Sequence, residues 1–205
     1  MAKKPSWKYE KEYWREGREF VVGVDEVGYG SWAGPIVVGA VVFPVDTLLY
    51  GLRDSKQLKA HERKKLTKKI LRTAIDVGVG EGTVQEINDL GLATARQNAF
   101  DRALEKMRVM PDIVLIDGVV VSCPHQIRVI TKGDQKVPTI AAASIVAKVY
   151  RDRLMSSLHR LYRNYGWNKN KGYGTKHHLA MIKKNGITAQ HRVNYKCFNK
   201  LDLEY

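Results

Sequence analysis

Two β-branched, largely apolar runs stand near the start of the chain, FVVGVD at 20–25 and IVVGAVVF at 36–43. Segments so poor in polar side chains read as two buried strands, and the Gly-rich stretch between them reads as the turn that joins them. Buried strands need helices to cover them, and the pattern downstream provides these. Residues 61–74 carry Leu66, Ile70 and Leu71 on a basic background and predict a surface helix. Residues 75–82 (IDVGVGEG) alternate like a third strand, and 92–107 form a second amphipathic helix. DIVLID at 112–117 and QIRVIT at 126–131 read as two more strands. From Pro138 onward Val146, Tyr150, Leu154, Leu158 and Leu161 recur at helical intervals, the stripe of a long helix with Pro near its start.

The segment NYGWNKNKGYGTKHH that follows is polar, basic and interrupted by three glycines, and Thr175 is placed to cap a last helix running to Lys183. Strands lead and helices interleave, so the reading is a single α/β domain with a mixed sheet. Residues 1–18 form an N-terminal extension, 19–165 the core, and 166–205 a basic C-terminal appendage of the same domain. A length of 205 residues suits one such core. The aromatic segment from Trp7 to Trp14 is expected to pack against the domain.

Charge narrows the partner. Lys and Arg number 35 against 21 Asp and Glu, a formal net charge of +14. Such an excess attracts polyanions, and nucleic acid is the leading candidate, although basic proteins without that role share the balance. Between Lys148 and Lys200 there are 13 Lys or Arg and a single acid, Asp152, so the C-terminal quarter reads as a binding surface. Cys123 and Cys197 form no CxxC pair, and no His cluster has zinc-ligand spacing, which argues against a disulfide framework or structural zinc. With no apolar leader and no stretch of membrane-spanning length, the expectation is a cytoplasmic monomer with no membrane partner.

Against this basic background a few acids fall at ends of apolar strands. Asp25 and Glu26 close the first strand, where adjacent carboxylates are costly unless they reach water or a cation neutralises them. Asp117 closes another strand, as a metal ligand or as an ordinary Asp-Gly turn residue. Asp134 lies between Lys132 and Lys136, in a loop ion pair or in the same metal site. Mg²⁺ or Mn²⁺ prefers oxygen donors, and two such ions close together clamp a phosphodiester. Gly28, Gly30 and Gly34 form a turn whose amides can approach an anion, or simply a tight hairpin. Lys56, Ser144, Lys148, Thr175 and Lys176 suit phosphate contacts, and Tyr173 could set its ring against a sugar or base or pack on the domain. His177 and His178, adjacent on a helix, point to different faces and receive no catalytic role.

Taken together, GVDEVGYGSWAGPIVVGAVV, DSKQL, LIDG, KGDQKVPTIAAASIVAKVYRDRLM and KGYGTKHHLAMIKKNGITAQHR, in that order, closely resemble bacterial ribonuclease HII from about Val21 to Arg192. The resemblance implies a ribonuclease H-like fold, a five-stranded mixed sheet flanked by helices with a small helical C-terminal appendage. It implies an endonuclease that cuts the RNA strand of RNA/DNA hybrids and on the 5′ side of ribonucleotides in duplex DNA. Asp25, Glu26, Asp117 and Asp134 would hold two Mg²⁺ or Mn²⁺ ions, and cleavage would leave 5′-phosphate and 3′-hydroxyl ends. Gly28, Tyr29 and Gly30 would read the 2′-hydroxyl, with Lys56, Ser144, Lys148, Tyr173 and Thr175 contacting the substrate. One position departs from the family pattern: Tyr29 stands where a Gly-Arg-Gly turn is usual, replacing a fixed cation by one hydroxyl. On that reading activity at a single embedded ribonucleotide falls relative to RNA tracts, as in the related ribonuclease HIII. The alternative from another class is a basic nucleic-acid-binding protein without catalysis.

Overall fold

The computed structural model describes residues 5–52, 55, 58–118 and 120–194. Five strands, β1 (Val21–Val27), β2 (Ile36–Val42), β3 (Asp76–Gly82), β4 (Ile113–Asp117) and β5 (Ile127–Ile130), form one sheet in the order β3-β2-β1-β4-β5. The first three pair antiparallel, whereas β1–β4 and β4–β5 are parallel, so the sheet is mixed as expected. β1 runs two residues further than the sequence suggests. Pairing with β2 continues through Glu26 opposite Val38 and Val27 opposite Val37, which keeps both acids inside the strand.

Among the described residues seven helices accompany the sheet: α1 (Lys8–Arg15), α2 (Ala60–Thr73), α3 (Val84–Leu90), α4 (Leu92–Glu105), α5 (Pro138–Leu161), α6 (Trp167–Asn170) and α7 (Lys176–Asn185). Alternation along the strands splits the core into two layers. Val22, Val24, Val38 and Ala40 turn toward Ala95, Ala99 and Phe100 of α4, whereas Val41 and Phe43 meet Ile70 of α2 and Ala142 and Ile145 of α5. Contact with α4 is very close at β3. Gly78, Gly80 and Gly82 lie against Ala103, Ala99 and Ala95, and a Cβ on any of the three would collide with those alanine carbonyls. A two-residue period on the strand thus meets a one-turn period on the helix with no side chain between them.

Three helices, α1, α3 and the four-residue α6, escaped the sequence reading. α3 is only seven residues long, but Thr83 and Glu86 cap each other's backbone amides at its start, a reciprocal pattern visible in the sequence. α1 holds the aromatic segment: Trp7 stacks on Trp14 and meets Phe43 edge-on. Its Glu10 is fully buried and accepts from the amide and hydroxyl of Thr139 at the start of α5. The C-terminal segment has a small core of its own, with Trp167 and Ile182 packed against Ala33 and Met155.

Candidate active site

Parallel pairing of β1 with β4, Val24 opposite Ile116, brings Asp25 and Asp117 to the same end of the sheet. β5 then leads into a short 3-10 turn, Gly133–Gln135, entered through Lys132 at φ 56°. The turn folds back so that the Gly133 amide donates to Asp117 Oδ1 at 2.8 Å and Asp134 points inward. Carboxylate oxygens of Asp25, Asp117 and Asp134 then lie within 4.8 Å of one another. Glu26 is outside this triad. As the next residue on β1 it faces the α4 layer, although it borders the same groove.

Asp25 is 7% exposed and Asp134 6%. Burial raises the Asp25 carboxyl well above the usual carboxylate range, and the charges of Glu26, Asp117 and Asp134 push the same way, against a hydrogen bond from Ser144 that favours the ionised form. At an effective dielectric near 20, each pair of charges at this spacing repels by about 3 kcal/mol. Ion pairs among the described residues hold Glu12, Glu16, Asp76, Glu86 and Asp152, and none of them reaches Asp25 or Asp117. A cluster of oxygen donors that resists full ionisation fits a hard divalent cation, which would replace the proton.

The groove over the triad has a volume of about 540 Å³ and is bordered by Gly28, Tyr29, Gly30, Ser144, Lys148 and Tyr173. Ser144 and Ser55 stand 3.0 Å apart, and Ser144 holds Asp25 from one turn of α5. One turn later Lys148 Nζ pairs with Asp152 at 2.6 Å, and Arg63 of α2 reaches the other oxygen of Asp152 at 3.5 Å. Lys56 lies outside the described residues. Thr175 caps α7 by accepting from the His178 amide and borders a separate surface cavity with His159 and His177, and Lys176 is exposed on the first turn of α7.

Sequence reasoning counted Arg151 and Arg192 among the surface charges, yet both are fully buried. Arg151 donates to the carbonyls of Pro35, Ala33 and Lys171 and to the Ser31 hydroxyl. Arg192 donates to the carbonyls of Gly34 and Tyr29. Two guanidinium groups, rigid forks of five donors each, thereby fix the glycine turn from behind. Gly28 adopts φ 97° directly against Arg151, where a Cβ would meet the guanidinium. No pattern in a single sequence distinguishes a buried arginine from a solvated one.

The histidines given no catalytic role are structural too. His178 and His191 face each other at 3.2 Å, both fully buried, with Trp167 Nε1 donating to His178 Nε2. Burial, reinforced by His178, lowers His191 to about 4, so the pair stays neutral. His178 Nδ1 lies 3.0 Å from the Tyr173 carbonyl, which anchors the loop that presents Tyr173 at 37% exposure. Beyond Tyr173 a second groove of about 820 Å³ carries Arg63, Lys64, Arg153, Arg160, Lys169 and Lys171, and it joins the first at Lys148 and Tyr173. Among the described residues no helix is long and apolar enough to cross a membrane.

Known proteins resemble this chain in sequence and fold. The family described as ribonuclease HII matches residues 22–198. The chain is 41% identical to ribonuclease HII of Ligilactobacillus salivarius over 96% of its own length and 77% of that protein's. It is 44% identical to ribonuclease HII of Chlamydia caviae over 91% of its length and 89% of that protein's. The crystal structure of ribonuclease H2 from Pyrococcus horikoshii OT3 superposes with a TM-score of 0.74 at 27% identity, covering 88% of this chain and 95% of that one. Motif order, sheet topology and this breadth of similarity agree, and the chain belongs to the ribonuclease HII family, hydrolases acting on the RNA of RNA/DNA hybrids.

Proposed function

We propose that the chain cuts the RNA strand of RNA/DNA hybrids, and the 5′ side of ribonucleotides embedded in duplex DNA, through a divalent-metal site built from Asp25, Glu26, Asp117 and Asp134. The observation that carries this reading is the convergence of Asp25, Asp117 and Asp134 within 4.8 Å under an open groove. Two Mg²⁺ or Mn²⁺ ions, when bound, would supply an activated water and neutralise charge developing on the phosphate. The residues themselves hold and orient. Ser144 fixes Asp25, and the Gly133 amide fixes Asp117. Water adds to phosphorus, the bond to the 3′ oxygen breaks, and the ends are a 5′-phosphate and a 3′-hydroxyl.

Recognition of the ribonucleotide falls to Gly28, Tyr29 and Gly30. Carbonyls of Gly28 and Tyr29 accept from Ser31 and Arg192, which holds the turn's backbone in place to read a 2′-hydroxyl, the group that separates RNA from DNA. The basic groove beyond Tyr173 suits the phosphates of the duplex. The deciding test is cleavage of two labelled duplexes, one with a single ribonucleotide and one with an RNA tract, in Mg²⁺ or Mn²⁺, with Asp117→Asn as control. Cutting of both, abolished by the substitution, supports the reading. Cutting of the tract alone assigns a restricted specificity to the turn, and binding of either duplex without cutting favours the non-catalytic alternative.

A further inference from the structure

Cations around the acidic groove are largely committed to the protein itself. Lys148 is paired with Asp152, and Arg151 and Arg192 spend their donors on the backbone of the turn. A substrate phosphate at the glycine turn, away from the metal-holding acids, would gain from a positive partner on the protein. Arg96 of α4 is in a different position from the others. Its side chain borders a small cavity with Glu26, Phe100 and Val121, and its guanidinium carbon rests 5.9 Å from the centre of the Tyr29 ring. Among the described residues Arg96 forms no ion pair, and its buried Nε has no hydrogen-bond partner. The Tyr29 ring lies within reach of the guanidinium for the attraction of a cation to an aromatic face. Tyr29 is 52% exposed and borders the groove.

We propose that Arg96, held over the ring of Tyr29, is the cation that takes a phosphodiester oxygen of the substrate strand at the glycine turn. Resting on the ribonuclease reading above, the inference assigns the two residues separate roles. Arg96 supplies charge and planar donors, and Tyr29 supplies a platform that sets where they point. A cation reaching the turn from α4 in this way compensates for the absence of one within the turn, so cleavage at a single embedded ribonucleotide is retained.

The test measures steady-state cleavage of a single-ribonucleotide duplex in Mg²⁺, together with the salt dependence of KM, for wild type, Arg96→Gln, Tyr29→Phe, Tyr29→Ala and Tyr29→Arg combined with Arg96→Gln. Thermal unfolding of each protein serves as the folding control. Expected results are a roughly tenfold rise in KM for Arg96→Gln with kcat nearly unchanged, and a slope of log KM against log salt reduced by about one. Tyr29→Phe, which keeps the ring, should keep the salt slope of wild type whatever it loses in basal cleavage, Tyr29→Ala should lower the slope as Arg96→Gln does, and the double variant should recover most of the affinity. An unchanged KM and slope in Arg96→Gln would overturn the proposal, as would a fall in kcat alone, which would mean that Arg96 acts on the carboxylates. A salt slope lowered by Tyr29→Phe as far as by Arg96→Gln would overturn the platform role. Failure of the wild type to cut any hybrid would instead strike the ribonuclease reading.

Discussion

The Gly133 amide donates to Asp117 Oδ1 across 2.8 Å, which ties the acid at the end of β4 to the turn that carries Asp134. Asparagine at 117 keeps an oxygen for that amide but removes a charge from the triad. Asp117→Asn should therefore fold normally and unfold at a slightly higher temperature, because one carboxylate repulsion is gone. Its cleavage rate should fall on the order of a thousandfold, the scale of losing several kcal/mol of transition-state stabilisation. Calorimetry and single-turnover cleavage check the two halves of the prediction.

Glycines 28 and 30 flank Tyr29 for different reasons. Gly28→Ala places a Cβ at φ 97° and against Arg151, and should cost about 1–3 kcal/mol or more of stability. Gly30→Ala meets nothing within 4 Å and carries no positive φ, so it should change stability by roughly 0.5 kcal/mol or less. If Gly30 borders the bound ribose, its alanine variant loses cleavage without losing stability. Urea denaturation alongside cleavage of the single-ribonucleotide duplex separates the two cases.

Glu10 of α1 gives a pH signature. Burial raises its carboxyl from 4.5 to about 7, against the donors from Thr139. The folded protein therefore holds this proton more tightly than the unfolded chain does. Its contribution is most favourable below pH 4.5 and is lost progressively as the pH rises to 7. Relative to wild type, Glu10→Gln should gain stability by up to about 3 kcal/mol between those limits. Chemical denaturation of both proteins at several pH values measures the difference directly.

Arg153 and Lys169 are exposed in the basic groove beyond Tyr173. Replacing either by Ala should weaken duplex binding about equally for hybrid and DNA, and should lower the log–log salt slope by about one for each phosphate no longer neutralised. Anisotropy titrations at several salt concentrations check this, and weakening confined to one duplex type would contradict it.

Much of this was legible from the chain because the signals are local. Val22, Val24, Val38 and Val41 lie in unbroken apolar runs that only covered strands sustain, and the acids stand out where those runs end. The resemblance then connected positions that single-sequence patterns cannot pair. What stayed hidden was non-local or short. Arg151 and Arg192 carry the same formal charge as their solvated neighbours, and only the folded turn shows that they bind carbonyls. The partnership of Arg96 with Tyr29 spans two elements and leaves no trace in spacing. α3 was overlooked for its brevity although its Thr83–Glu86 cap was readable, and the reach of β1 to Val27 depends on its pairing with β2.

The hold of Arg192 on Gly34 and Tyr29 crosses a separation of 158 residues in the first case, which has a consequence for the order of events during synthesis. A chain emerging from the ribosome displays Asp25, Glu26, Asp117 and Asp134 well before Arg192 arrives. Until then the turn beside the acids lacks one of its two clamps, and the contact that completes it is among the most distant in the sequence, the kind that forms late for reasons of loop entropy. A nascent or C-terminally clipped chain would thus carry its acidic residues beside a substrate turn clamped by Arg151 alone, a built-in delay between making the nuclease and fully arming it.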